Sequence, residues 1–177
     1  MKMFASLLVL ALGCALPVSG APETSMFVTS NDFSTGGTIP PRFTCEGANT
    51  SPTLRIAMVP RNAKSLVLIV DDPDAPKGTF THWLVWNISP DATEFGAGSV
   101  PTGAVQGTND SGKLGYMGPC PPSGVHRYYF RVFAVTKPIS LPTTARRADV
   151  DKALKGNVLA EAVRMGRYGR SISSPTP

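Results

Sequence analysis

The stretch that most constrains this chain is Ser65-Leu66-Val67-Leu68-Ile69-Val70, which runs straight into Asp71-Asp72-Pro73-Asp74-Ala75-Pro76. A continuous aliphatic run of this length, closed by Asp and Pro, reads as a central strand covered on both faces. It delivers Asp71 and Asp72 at its carboxyl end, where the apolar run gives way to a turn.

The strands that would flank it are legible by period. Residues 26–30 form a short first strand. In 53–59, Leu54, Ile56 and Met58 point one way and Thr53, Arg55 and Ala57 the other. In 82–88, His82, Leu84, Trp86 and Ile88 share a face, with Trp83, Val85 and Asn87 opposite. The longest alternation starts at His126: Tyr128, Phe130, Val132 and Ala134 lie on its side, Arg127, Tyr129, Arg131, Phe133 and Val135 on the other. Residues 89–113 are irregular, with one short candidate strand near 104–107, and a loop that long is functional or packed over the core. Val150, Leu154, Val158 and Ala162 repeat at i, i+4 and predict a helix over 149–162 capped by Asp149. Gly156 weakens that helix by about 1 kcal/mol relative to Ala. A last strand follows over 163–168. Six or seven strands, 17 Gly and 17 Pro predict a mostly β protein, an antiparallel β-sandwich with one or two short helices near the C-terminus.

The ends read differently. Lys2 followed by an apolar run over 4–16 and the small residues Val18-Ser19-Gly20 predicts a signal peptide over residues 1–20, cut after Gly20. Ala11-Leu12-Gly13-Cys14 offers a lipoprotein alternative. A single domain over 21–177 with its core in 26–170 would then work in the periplasm or outside the cell. Without the leader, Cys45 and Cys120 remain, an even pair in an oxidising compartment, and a bridge between them is expected over two free thiols. Neither has a C-x-x-C partner, so no metal is expected there. The chain carries a formal charge of +5, with the basic excess concentrated over residues 146–170. That segment is either a solvated helix face or a patch for an anionic membrane surface or another acidic partner. No basic arm with interleaved aromatics marks a nucleic-acid binder.

Two polar clusters hang on the strand ends. Three aspartates in four positions need an answering group, because neighbouring carboxylates raise one another's pKa. The economical partner is His82, whose other ring nitrogen would then point into a pocket. The second cluster, Gly118-Pro119-Cys120-Pro121-Pro122-Ser123-Gly124-Val125-His126-Arg127-Tyr128, opens on a rigid loop over 118–122 whose N–H donors are confined to Gly118 and Cys120. The chain's 2 histidines both fall in these clusters. Two imidazoles, a tyrosine hydroxyl and that loop would hold a small oxyanion by neutral donors. Solvated Asp-Pro turn carboxylates and a satisfied strand-end histidine are the plain structural alternatives.

Asp72-Pro73-Asp74-Ala75-Pro76, His82-Trp83-Leu84-Val85-Trp86-Asn87, residues 118–122 and His126-Arg127-Tyr128 together resemble the phosphatidylethanolamine-binding protein family, also called Raf kinase inhibitor proteins. Phe43-Thr44-Cys45-Glu46-Gly47 to Ser51-Pro52 and Gly107-Thr108-Asn109-Asp110 to Gly115-Tyr116 resemble its bacterial branch, and the match runs in order over residues 26–170. The resemblance implies a two-sheet β-sandwich with a small pocket for phosphate-like groups, including phospholipid head groups. It maps the pocket onto Asp72, Asp74, His82, Gly118, Pro119, His126 and Tyr128, with no cofactor. The C-terminal helix of the animal members has no counterpart here.

Two aspartates beside a phosphate would repel it by about 4 kcal/mol per unit-charge pair at ~4 Å and an effective dielectric of ~20. Either they are spent orienting the histidines or the ligand is zwitterionic, like phosphoethanolamine. The leading expectation is a non-enzymatic binding protein that also modulates a partner protein. The alternatives are a protease- or kinase-inhibitor-like or host-interaction protein acting through surface loops, and a hydrolase built on the His/Asp pocket. Against the last, no Gly-x-Ser-x-Gly or His-x-x-x-His occurs.

Overall fold

The computed structural model of the chain describes residues 25–170. The leader expected over 1–20, Cys14 and the end of the chain past Arg170 lie outside the described residues.

Eight strands and one α-helix follow in order: β1 (Phe27–Thr29), β2 (Leu54–Ala57), β3 (Ser65–Asp72), β4 (Phe80–Ile88), β5 (Glu94–Phe95), β6 (Val105–Gln106), β7 (Val125–Val135), α1 (Arg147–Leu154) and β8 (Val158–Gly169). A five-stranded sheet runs β6-β4-β3-β7-β8 and a three-stranded sheet runs β1-β2-β5. Every strand pairing in both is antiparallel. β3 is the middle strand of the larger sheet and all eight of its residues are buried. Its aliphatic run follows from that position, with one layer on each side. Leu66, Leu68 and Val70 pack with Phe130 and Val132 against Val28, Leu54, Ile56 and Phe95 of the small sheet. Val67 and Ile69, with Leu84 and Trp86, pack against Ile139, Ala145, Val150 and Leu154, the last two from α1. Each such side chain contributes about 1.5–3 kcal/mol by leaving water, so both layers hold β3 in place.

Three expectations need correction. The helix over 149–162 stops at Leu154, and the strand expected over 163–168 begins at Val158. Gly156 does not weaken that helix; it ends it, at φ +69°. Asn157 then locks the reversal. Its N–H reaches back to the Leu154 carbonyl at 2.9 Å, and its buried Oδ1 accepts from the Thr136 hydroxyl at 2.5 Å and the Lys137 N–H at 3.1 Å. Beyond it, β8 pairs with β7 along its whole length, a ladder that outweighs helical spacing in Val158 and Ala162. Asp149 is not the cap either. It sits a turn inside, and its carboxylate accepts the N–H of the cap residue Arg146 at 2.9 Å.

The alternation in β4 breaks twice. Leu66 faces Ile88 while Leu68 faces Val85, which leaves one extra β4 residue in a bulge. Asn87 takes it at φ +57°, so Ile88 joins the small-sheet side with Trp83 and Val85. Met58 leaves its strand in the same way, at φ +58° and exposed. Residues 89–113 are pinned where β5 pairs with β2 and β6 with β4, while much of the segment between and beyond them is exposed.

Candidate functional site

The second bulge in β4 builds the site. Val70 faces Trp83 and Asp71 faces Thr81, which leaves His82 as the extra residue. In an unbroken strand His82 would lie with Leu84 under α1. The bulge turns it instead to the small-sheet side, edge-on to Tyr128 with ring centroids 5.2 Å apart and 4.8 Å from Phe80. β3 meanwhile places consecutive aspartates on opposite faces. Asp72 turns to the His82 side. Asp71 turns under α1, where Arg147 donates to it. β7 brings up His126 at its start.

His82, His126 and Asp72 line one cavity of about 140 Å³, closed by Phe80, the turn at Ala75 and Pro76, Met117, and residues 120–122. Asp72 is not the partner of His82. Its Oδ2 accepts from His126 Nδ1 at 2.7 Å and its Oδ1 from the Asp74 N–H at 2.9 Å. His82 Nδ1 instead lies 2.7 Å from the Met117 carbonyl. A carbonyl and a carboxylate can only accept, so each Nδ1 carries the hydrogen. In the neutral rings each Nε2 is therefore a lone pair left for the cavity's occupant. Burial pushes His82 below the ordinary histidine pKa, against weaker upward pulls from the Met117 carbonyl and the Asp72 charge. Two neutral imidazoles here are acceptors, not the neutral donors expected from the sequence, and a proton on Nε2 makes either one a donor.

The other expected site residues stand around this centre. Tyr128 is fully buried beneath His82, its hydroxyl without a hydrogen-bond partner, and burial with the Asp72 charge pushes the phenol pKa up. Asp74 is spent outside the cavity wall. Arg127 donates to it from Nε at 2.9 Å, from Nη2 at 2.6 Å and from its backbone N–H at 2.9 Å, and these bonds hold the carboxyl at about 2. Asp74 lies outside the cavity, and Asp72, which lines it, already accepts one hydrogen bond on each oxygen. Gly118 and Pro119 back the wall rather than face the cavity. The Gly118 N–H donates to Asn49 Oδ1 at 2.8 Å, and the Pro119 carbonyl accepts from the Cys45 N–H at 3.1 Å. Cys45 and Cys120 form a disulfide with Cα atoms 5.4 Å apart. Phe80 and Met117 carried no signal in the sequence. Pro121 and Pro122 did, as part of the rigid loop. Among the described residues, no group of three or more His, Cys, Asp or Glu is placed to hold a metal ion.

Comparison with known proteins places this arrangement. The sequence profile of the phosphatidylethanolamine-binding protein family matches residues 29–169. A UPF0098 protein of Methanothermobacter thermautotrophicus is 51% identical over 150 residues, covering 82% of this chain and 99% of its own. The solved structure of the phosphatidylethanolamine-binding protein homologue CT736 of Chlamydia trachomatis superposes with a TM-score of 0.81 at 40% identity, covering 84% of this chain and 99% of its own. That of E. coli YbcL, described as a member of the mammalian family, does so with a TM-score of 0.79 at 36% identity, covering 83% and 99%. This chain belongs to the phosphatidylethanolamine-binding protein family.

Proposed function

We propose that the protein binds a small phosphate-like oxyanion, free or as a phospholipid head group, in the cavity between His82 and His126, and does so outside the cytoplasm. The observation that carries the reading is the pair of Nδ1 bonds, 2.7 Å each, which occupies one nitrogen of each ring and leaves Nε2 as the other in a cavity that both rings line. The anion must arrive with a proton, because a neutral ring held this way offers no hydrogen. One of the two rings takes it, and the other is then held by the same ligand. Binding rather than turnover fits the wall, which contains no hydroxyl side chain and whose cysteine is bridged. The leader read from the sequence and the Cys45–Cys120 bridge support an oxidising location.

Isothermal titration of the protein with sulfate, whose charge is constant between pH 5.5 and 8, tests this alongside inorganic phosphate and phosphoethanolamine. Sulfate binds more tightly at the lower pH with one proton taken up, and His126→Ala abolishes it. Phosphoethanolamine compared with phosphate at one pH reports whether Asp72, the carboxylate in the cavity wall, takes the ammonium. Equal sulfate affinity at both pH values, or full binding by His126→Ala, would overturn the reading.

A further inference from the structure

The disulfide is part of the cavity wall. Cys120 lines it, while Cys45 is exposed on the outside of the same bridge. We propose that Cys45–Cys120 is a thiol-exchange site through which an external thiol, a small-molecule thiol or a thiol–disulfide oxidoreductase, sets the anion affinity of the pocket. The effect on affinity rests on the anion reading above; the coupling of the bridge to His82 does not.

Cys45 is the more exposed of the two cysteines, which makes its side the approach for a thiol. An external thiolate attacks Cys45 Sγ, the S–S bond breaks, and its electron pair leaves on Cys120 Sγ, which takes a proton. A second thiol then displaces the adduct from Cys45, and the reductant departs as its own disulfide. Two thiols cannot stay at bonding distance and part to van der Waals contact. On the Cys45 side there is solvent. On the Cys120 side there is a cavity of only about 140 Å³.

The neighbours of Cys120 carry that displacement to the imidazole. Pro119, Pro121 and Pro122 have fixed φ, which limits how far the segment can absorb it by local bending. Three residues upstream, the Met117 carbonyl holds the His82 tautomer at 2.7 Å. Unfolding is not the expected result. The Tyr116 hydroxyl, upstream of the displaced segment, still donates to the Phe43 carbonyl at 2.9 Å. Reduction therefore loosens the wall without releasing it.

The test compares the oxidised protein, the same protein after dithiothreitol, and a Cys45→Ser/Cys120→Ser variant that needs no reductant. The readouts are the His82 ring signals by NMR and the affinity for inorganic phosphate at pH 6. Reduction shifts the His82 signals and weakens phosphate roughly tenfold, the double variant matches the reduced protein, and glutathione disulfide treatment of reduced protein re-forms the bridge with release of glutathione and restores the oxidised signals. Coincident His82 signals and affinities equal to within about twofold in the two redox states would overturn the coupling and leave the anion reading intact. His82 signals that respond to reduction in a protein that binds no phosphate in either state would uphold the coupling and sink the anion reading.

Discussion

Gly118→Ala probes how tightly the cavity wall is seated. A Cβ on Gly118 would fall on the Phe43 carbonyl oxygen, 2.8 Å from Thr44 Cα and 2.7 Å from Asn49 Oδ1. Two of those three atoms are backbone, so no rotamer change relieves the overlap. The wall has to back away from residues 43–49, which also breaks the 2.8 Å bond from the Gly118 N–H to Asn49. Overpacking plus one lost buried hydrogen bond comes to about 3 kcal/mol. For a domain of this size that lowers Tm by about 6–12 °C. The displacement also pulls the Met117 carbonyl from His82, so phosphate binding falls with stability. Denaturant unfolding of the oxidised protein and of Gly118→Ala measures the first effect and calorimetric titration the second. Ser123→Ala, exposed in the same loop, is the control and changes stability by less than about 0.5 kcal/mol. A Gly118→Ala protein as stable as the control would refute the close-approach argument.

Two further expectations concern the aspartates that leave the cavity. Arg127 holds Asp74 at about 2 against an ordinary 3.8, so the charged carboxyl stabilises the fold above pH 4 and that contribution is lost as pH falls towards 2. Asp74→Asn therefore unfolds slightly more easily than the parent at pH 7 and equally at pH 2, a difference kept small by solvent; thermal unfolding at the two pH values checks it. Arg147→Leu leaves Asp71, 4% exposed, facing only Arg131 at 4.0 Å, and costs about 3 kcal/mol at neutral pH. Burial already raises the Asp71 pKa despite Arg147. A carboxyl raised in the folded state loses stability as pH rises through the window above 3.8, so the deficit at pH 7 shrinks at pH 4. Urea unfolding at both pH values measures it, and a deficit independent of pH would count against a buried charge.

The aliphatic run of β3, the alternation of β7 and the convergence of His82 with His126 were legible because each rests on local period and composition. The pairing of the carboxylates was not. Asp72 lies 10 residues from His82 and 54 from His126, yet it bonds the distant one, while His82, brought to the same side by the β4 bulge, takes the Met117 carbonyl. A bulge is set by the register of two strands and leaves no mark in either strand's sequence. Val158 and Ala162 read as helix because i, i+4 spacing is also even, and so also fits one face of a strand. Only the decision to treat Gly156 as a stop separates the two. Tyr128 was placed on the correct face, but depth within a face is a property of the packed layers, and it lies under the imidazole rather than beside it.

The central claim is that two imidazoles, each tied through Nδ1, present Nε2 to one anion and take up a proton to hold it. The most direct measurement is a long-range ¹⁵N–¹H correlation spectrum of the two histidine rings at pH 7.5 without anion and at pH 6 with saturating phosphate. Both rings are expected as the Nδ1–H tautomer when neutral, and phosphate perturbs the signals of both and brings a protonated Nε2 to one of them. An Nε2–H tautomer on either ring at pH 7.5, or spectra unchanged by phosphate, would contradict it.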